Sequence, residues 1–456
     1  MIQMTSQELA TAVQGRLQGA PDAAFSGVFT DTREPRAGAL FVALRGPNFD
    51  AHDKLTADLP AAVLLVERAV DTSLPQVIVP DTREALGRLG REWRRRSRAR
   101  VIALTGSNGK TTTKEMLRCI LEGVGSVHAT AGNLNNEIGT PLTLLAMPLD
   151  VDYAVIELGA NHAGEIGRMV RWVEPQVALI TNAGRAHLEG FGSLEGVAHA
   201  KAEIYSGLPA QGGTAVVNLD DPFADYWLSL NAHHHCQRFS LEGGGEVEGM
   251  WQAPDRLRLA ILGAGRDLSL VGPGRHLAAN AVAAAAAANA VGIGIDRIVE
   301  GLVRWKPVRG RLQEFWHTSG ARVWDDSYNA NPDSLRAGLE VLAAMPGRRI
   351  LVLGAMGELG AEAGELHRET GRLARAMGID QCLTLGAAAR DSADAFGEGG
   401  EWFADHEALR ARLEPLLAAG TTVLVKGSRS QHMEQIIEGL DLASAAPEVA
   451  NAVRAD

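Results

Sequence analysis

The chain has 456 residues, with 44 Lys and Arg against 55 Asp and Glu, a formal charge of −11. Single hydrophobic cores stop growing near about 250–300 residues, so this length calls for more than one domain, and 46% hydrophobic with 22% charged residues excludes a disordered chain. The acidic balance speaks against nucleic acid or anionic membrane as a partner, and three scattered cysteines, Cys119, Cys236 and Cys382, exclude a disulfide framework and suit a reducing, cytoplasmic setting.

The first segment, 1–97, lacks the basic-then-apolar order of a signal peptide. It carries short apolar runs at 40–44, 62–66 and 76–79 and ends in an arginine-rich stretch, 91–100, which reads as the solvated face of a helix. The second segment, 98–313, opens with a buried strand at 101–105, a glycine-bearing loop, and a helix at 111–122 with Met116, Leu117, Ile120 and Leu121 on one side. Further strand candidates at 153–158, 177–181 and 214–218 are separated by helical lengths. That alternation indicates α/β architecture with a mostly parallel sheet. Alanine contributes little to membrane insertion, so the alanine-rich stretch 277–295 reads as a buried helix with no membrane span. In the third segment, 314–456, strands at 349–353, 381–385 and 421–425 alternate with helices at 366–377 and 406–417, a second, smaller α/β layer. Glycine-rich spacers at 241–249 and 397–400, and the cluster His233-His234-His235-Cys236, read as surface loops.

The run Gly106-Ser107-Asn108-Gly109-Lys110-Thr111-Thr112 carries the most chemistry. A glycine loop between a strand and a helix aims backbone N–H groups and the helix's positive end at a phosphate. Lys110 can neutralise the outer phosphates, and the Thr111 hydroxyl can reach Mg²⁺. The longer phosphate-loop pattern is incomplete, because Leu104 stands where its first glycine would be. Glu157 ends the strand at 153–158, at the carboxyl edge where parallel sheets bind ligands, and is expected to ligate the metal; Asp152 lies at the wrong edge. His187 follows the strand at 177–181 and could meet the same site or be a plain loop histidine. Lys201 lies on a helix of small residues, where the plain reading is a surface lysine paired with Glu203 or Glu195.

The phosphate loop, 133–141 (Asn-Leu-Asn-Asn-Glu-Ile-Gly-Thr-Pro), Glu157-Leu158-Gly159, His187-Leu188-Glu189 and 200–204 (Ala-Lys-Ala-Glu-Ile) together resemble the Mur ligase family of ATP-dependent amide-forming enzymes. The stretches 325–332 (Asp-Asp-Ser-Tyr-Asn-Ala-Asn-Pro) and 353–360 (Leu-Gly-Ala-Met-Gly-Glu-Leu-Gly) look like its branch that adds D-alanyl-D-alanine to UDP-N-acetylmuramoyl-tripeptide in peptidoglycan precursor synthesis.

The resemblance implies three domains: 1–97 for the uridine nucleotide, 98–313 as a central ATPase, and 314–456 as a Rossmann-like domain closing over ATP. It makes Lys110, His187 and Lys201 catalytic and gives the nucleotide Gly106 to Thr112, Asn280, Arg311 and Asp326. It gives two Mg²⁺ ions Thr111, Glu157, His187 and a carbamylated Lys201. Substrate contacts fall to Asp31, Thr32, Arg33, Asn135, Asn136, Tyr328, Asn329 and Asn331. Two departures are Leu277, where relatives often carry asparagine, and Ala51, where they often carry glycine. A monomer is expected, with the last domain open before ATP binds and Arg311 and Asp326 then far from Lys110. The competing readings are a third-residue or folylpolyglutamate synthase-like ligase, and an ATP-sensing regulator that would not need Lys201 and His187.

Overall fold

The apolar run after the arginine stretch forms the strand Arg100–Thr105, and its side chains from Val101 to Thr105 are wholly buried in the computed structural model, which describes residues 1–55, 59–252 and 254–443. Alternation decides where they go. Ile102 and Leu104 pack with the helices Lys110–Leu121 and Arg275–Ala290, whereas Val101 and Ala103 pack with Glu165–Val173 and Leu194–Ala202. Burying a large aliphatic side chain of this kind contributes about 1.5–3 kcal/mol, so the strand is a rigid base for whatever follows it.

The sheet around it has nine strands, beginning in spatial order at Ala264, Arg256, Val247, His235, Thr214, Val177, Arg100, Tyr153 and Val127. All neighbours run parallel except the first two pairings in that order, Ala264–Ser269 with Arg256–Ile261 and that strand with Val247–Gln252. The chain leaves Arg100–Thr105 for strands on one side and later returns on the other. A crevice therefore opens at the carboxyl ends of three adjacent strands, where Glu157 pairs with Leu104 and Ile180 with Thr105.

The C-terminal layer is a seven-stranded sheet, in the order Gly400, Gln381, Arg348, Thr421, Arg322, Gln313 and Leu442 by first residue, parallel except at Gln313–His317. The N-terminal segment forms five strands in the order Arg16, Gln76, Val63, Leu40 and Val28, with a two-stranded pair, Gln3–Thr5 and Ala24–Ser26, alongside. The α/β expectation holds in all three sheets. Among the described residues, no helix is long and apolar enough to cross a membrane; the alanine-rich helix Arg275–Ala290 is buried along nearly its whole length.

Three local expectations need correction. The arginine-rich stretch is not merely a solvated face: helix Thr82–Arg96 docks on the central layer, where buried Arg94 donates to the carbonyls of Val173 (3.1 Å) and Glu174 (3.2 Å). Arg91 and Arg95 both pair with Glu174, so cations meet the carbonyl end of helix Glu165–Val173. Of the spacer 241–249, Val247 onward is strand, and Gly249 is required because a Cβ there would come 2.4 Å from Val282. Gly400 likewise begins the strand Gly400–Phe403. The helix expected over 406–417 stops at Leu413, because Pro415 supplies no N–H to continue it.

Candidate active site

The loop after the central strand is tied down before any ligand reaches it. Ser107 Oγ donates to the Gly184 carbonyl (3.0 Å) and accepts from the Gly184 N–H (2.9 Å). Asn108 N–H donates to Asn182 Oδ1 (3.0 Å), while its carbonyl accepts from Thr181 Oγ1 (2.7 Å). Two glycines make this possible. Gly106 has φ +152° and a Cβ there would lie 1.8 Å from Thr181 Oγ1; Gly109 has φ +79° and would strike Asn280 Oδ1 at 2.0 Å. Small alanines along Arg275–Ala290 let that helix approach closely enough for Asn280 to sit under the loop. Lys110 folds back and donates to the carbonyls of Gly106 (2.7 Å) and Ser107 (3.3 Å). Burial lowers its pKa; Glu157 counters that shift and Arg311 adds to it.

Residues 107–112 wall a cavity of about 360 Å³, closed from the alanine helix by His276 and Asn280 and from the C-terminal layer by Arg311, Asp326, Asn331 and Lys426. A second cavity of about 430 Å³ adjoins it, sharing Lys110, Thr111, His187, Arg311 and Asn329, and extends to Asn135, Asn136, Glu157 and Tyr328. Most of the residues singled out in the sequence therefore converge on two adjoining spaces. The expected separation of Arg311 and Asp326 from Lys110 is not seen: the layers meet directly, Asn331 Nδ2 donating to Asn108 Oδ1 (2.7 Å) and His187 standing against the Glu358 carboxylate.

Glu157 is buried (1% exposed) at its strand end. Its Oε1 accepts from Asn135 Nδ2 (2.7 Å) and from Thr111 Oγ1 (3.4 Å), while Oε2 is buried without a partner. An orphaned carboxylate oxygen beside a threonine hydroxyl at the foot of a phosphate loop suits a hard divalent cation. Among the described residues no three His, Cys, Asp or Glu side chains cluster as a metal site by themselves, so phosphate oxygens and water would have to complete the shell. Asn136 caps the next helix, its Oδ1 accepting from the N–H groups of Ile138 (3.1 Å) and Gly139 (2.8 Å).

Lys201 lines neither cavity. It is buried (1% exposed) with its ammonium 5.2 Å over the Phe191 ring, and among the described residues no carboxylate is within ion-pair reach. The surface pairing with Glu203 or Glu195 is excluded: Glu203 instead accepts from the N–H groups of Gly164 and Gly167. Burial first, and the charge of Lys110 second, bring the Lys201 pKa down to about 7. His187 has φ +54° and stands at the wall of both cavities, its Nδ1 turned to Glu358, whose carboxyl that contact holds below its ordinary range.

The C-terminal wall is equally specific. Arg311 stacks on Tyr328, 4.1 Å from the ring centre, and Asp326 accepts from Leu312 N–H (3.2 Å) and from Lys426 Nζ (2.5 Å). Asn329 gives its carbonyl to the same Lys426 (3.0 Å). Asp31, Thr32 and Arg33 stand apart. They lie past strand Val28–Phe29 and border neither cavity; Arg33 pairs with Asp31 and is 87% exposed in its side chain.

Two lysines were given no role by the sequence reading. Lys426 ends the strand Thr421–Lys426 directly after the apolar run Val423-Leu424-Val425, and a charge in that place was the available signal. Lys114 is fully buried one helical turn beyond Lys110; it donates to the Thr130 carbonyl (2.6 Å), and Thr130 Oγ1 in turn accepts from Glu157 N–H (2.9 Å). Only the fold reveals that second link.

The Mur ligase middle domain model matches residues 104–288, and the Mur ligase glutamate ligase domain model matches 310–429. The chain is 46% identical to the UDP-N-acetylmuramoyl-tripeptide--D-alanyl-D-alanine ligase of Escherichia coli, over 96% of this chain and 99% of that protein. A crystal structure of MurF from Acinetobacter baumannii superposes with a TM-score of 0.91 at 35% identity, covering 96% of this chain and 98% of that one. The MurF ligase of Thermotoga maritima, solved in complex with ADP, superposes with a TM-score of 0.80 at 26% identity, covering 91% and 96%. With its phosphate loop, orphaned carboxylate and C-terminal wall assembled as described, this chain belongs to the Mur ligase family.

Proposed function

We propose that the protein is a cytoplasmic, monomeric UDP-N-acetylmuramoyl-tripeptide–D-alanyl-D-alanine ligase, which uses ATP to build a peptidoglycan precursor and so serves cell-wall growth, cell shape and division. The observation that carries this reading is the meeting of two connected cavities at Lys110, Thr111, His187 and Arg311. One space suits a nucleotide and the other a second anionic substrate, with cations at their junction.

Making an amide in water is uphill, so the tripeptide's terminal carboxylate must first be activated. In the proposed sequence a carboxylate oxygen attacks the γ-phosphorus of ATP, ADP leaves, and an acyl phosphate forms. The free amine of D-alanyl-D-alanine then attacks the acyl carbon, and phosphate departs with the bridging oxygen. The first step brings two anions together, a repulsion of about 4 kcal/mol per charge pair at ~4 Å. Lys110 and Arg311 supply fixed positive charge there. Gly106 to Thr112 cradle the phosphates through backbone N–H groups, with Asn280, Arg311 and Asp326 completing the nucleotide's surroundings.

Glu157 and Thr111, with His187 and a carbamylated Lys201, would hold Mg²⁺, two ions being expected; when bound, the metal would neutralise phosphate charge. Lys201 is suited to carbamylation because an unpaired amine with a pKa near 7 is substantially neutral at neutral pH. Its nitrogen attacks CO₂, loses a proton and becomes a carbamate, turning a repelling cation into an anion. Asn135, Asn136, Tyr328 and Asn329 are assigned to the peptide substrates, and Asp31, Thr32 and Arg33 to the uridine nucleotide; Asn331, expected with the first group, lines the nucleotide cavity instead. Segments 1–97, 98–313 and 314–456 are the corresponding domains. The C-terminal domain keeps water from the acyl phosphate by covering the junction.

Purified protein given ATP, Mg²⁺, UDP-N-acetylmuramoyl-tripeptide and D-alanyl-D-alanine is expected to release ADP only when both peptide substrates are present. The product mass should equal their sum less one water. ADP release that ignores either substrate would favour an ATP-sensing regulator instead.

A further inference from the structure

Arg185 has no part in the chemistry above, yet it occupies a singular place. It follows Gly184, which exchanges two hydrogen bonds with Ser107 of the phosphate loop. Its backbone N–H donates to Asp333 Oδ2 (2.6 Å) and its Nε to Asp333 Oδ1 (3.0 Å), while Nη1 reaches Glu369 Oε2 (3.3 Å). Asp333 lies in the first turn of helix Pro332–Ala343, whose cap, Asn331, donates to Asn108 of the same loop. Glu369 lies on the neighbouring helix, Ala363–Ala376, and is also approached by Arg336 (3.6 Å). One guanidinium thus spans two helices of the C-terminal layer from a foothold on the phosphate loop. The fit is close: a Cβ on Gly184 would lie 2.7 Å from Asp333 Oδ2. Arg185 and Asp333 are each about one-third exposed, enough for dissolved salt to weaken the pair.

We propose that Arg185 is a positioning residue: by gripping Asp333 and Glu369 it holds the C-terminal layer against the phosphate loop and so sets the affinity for adenine nucleotide. A planar fork carrying several donors suits this task, since it can serve two carboxylates at once. The nucleotide cavity takes walls from both layers, so loosening the grip removes the wall bearing Arg311, Asp326 and Lys426. The inference rests on the ligase reading only for its kinetic consequence; nucleotide binding and shape test it separately.

The experiment uses the full chain and its Arg185→Ala, Arg185→Lys, Arg185→Asp and Asp333→Asn variants, plus the exchanged pair Arg185→Asp with Asp333→Arg. ADP affinity is measured by calorimetry at about 50 and about 500 mM KCl, where charge screening differs strongly. Small-angle scattering reads the radius of gyration, and ATP kinetics separate KM from kcat. Arg185→Ala is expected to weaken ADP binding and raise the KM for ATP about tenfold, the worth of one charge-assisted pair at ~1.4 kcal/mol. The molecule should expand, and kcat at saturating ATP should stay within about threefold. Arg185→Lys should fall between, and the unaltered protein should lose more ADP affinity with salt than Arg185→Ala does, the remainder being the screening of ADP's own phosphates. Unchanged ADP affinity and radius of gyration in Arg185→Ala, or an exchanged pair no better than Arg185→Asp, would overturn the proposal. If Arg185→Ala fails to fold, Asp333→Asn decides it in the same way, by its ADP affinity and its radius of gyration. An unaltered protein that binds ADP but forms no amide would sink the ligase reading while leaving the Arg185 test intact.

Discussion

The phosphate loop and the loop holding Asp31, Thr32 and Arg33 are both assigned to nucleotides, yet they are built in opposite ways. The first is bonded to Asn182 and Gly184 on one side and Asn331 on the other, with glycines where side chains would collide. The second is bonded mainly to itself: Arg33 reaches back to Asp31, and that contact brings the Asp31 carboxyl down to about 2. A loop that must stabilise developing charge gains from being fixed beforehand, because nothing then reorganises at the moment of reaction. In the proposed reading the second loop only holds the distant end of a substrate, which needs no such rigidity, and its arginine would exchange an internal partner for the substrate's phosphates. Rigidity follows the chemistry.

The contrast breaks most sharply at Lys110. Lys110→Met should reduce kcat by about 10²–10³-fold, the scale seen when one preorganised charge-stabilising group is removed, whereas steady-state kinetics of Arg33→Ala should show a change in KM alone. Lys201→Ala comes next: most turnover is lost, about 10²-fold, while calorimetry still finds ATP bound. A fully active Lys201→Ala would remove the residue from the mechanism. The pH dependence has a definite sign. Below about 7 the Lys201 amine is protonated and cannot capture CO₂, so activity should rise between pH 6 and 8 (roughly one unit either side), and added bicarbonate should help above pH 7 and not below. Mass spectrometry of the intact protein would show the added carbamate directly. The same depression means that the unfolded chain binds more protons between about 7 and the ordinary lysine range, so this group's share of stability grows as pH rises through that window.

Gly109→Ala tests the rigid loop through its packing. A methyl at φ +79° facing Asn280 should lower stability by about 1–3 kcal/mol and weaken ATP binding, read by thermal denaturation and calorimetry. The smallest expected effect is on the self-paired loop. Arg33→Ala should leave the melting temperature unchanged and raise the KM for the UDP substrate about tenfold, one charge-assisted hydrogen bond's worth. Loss of stability in Arg33→Ala would mean that its loop is part of the frame after all.

How much could be read from the chain alone follows the same division. The strand Arg100–Thr105, the helix after it and Glu157 were legible because local rules determine them: an apolar run, a glycine turn, an acid at a strand's carboxyl end. What stayed hidden depends on distant segments meeting. Lys426 faces Asp326 across 100 residues, Arg185 faces Asp333 across 148, and Glu358 meets His187 only because the layers dock. Arg94 misled for the same reason: an arginine-rich helix looks solvated until another helix end is set against it. Lys201 was half legible: the resemblance marked it, whereas its own neighbourhood read as a surface lysine paired with Glu203 or Glu195, and only the fold shows it buried away from both.

In the proposed reaction the carboxylate attacks the γ-phosphorus of ATP at the junction beside Lys110. Tripeptide substrate labelled with ¹⁸O in its terminal carboxylate tests this in one turnover assay, with the released phosphate weighed by mass spectrometry. One labelled oxygen is expected in each phosphate released when D-alanyl-D-alanine is present. Phosphate that carries no label, alongside amide product formed at full rate, would contradict it.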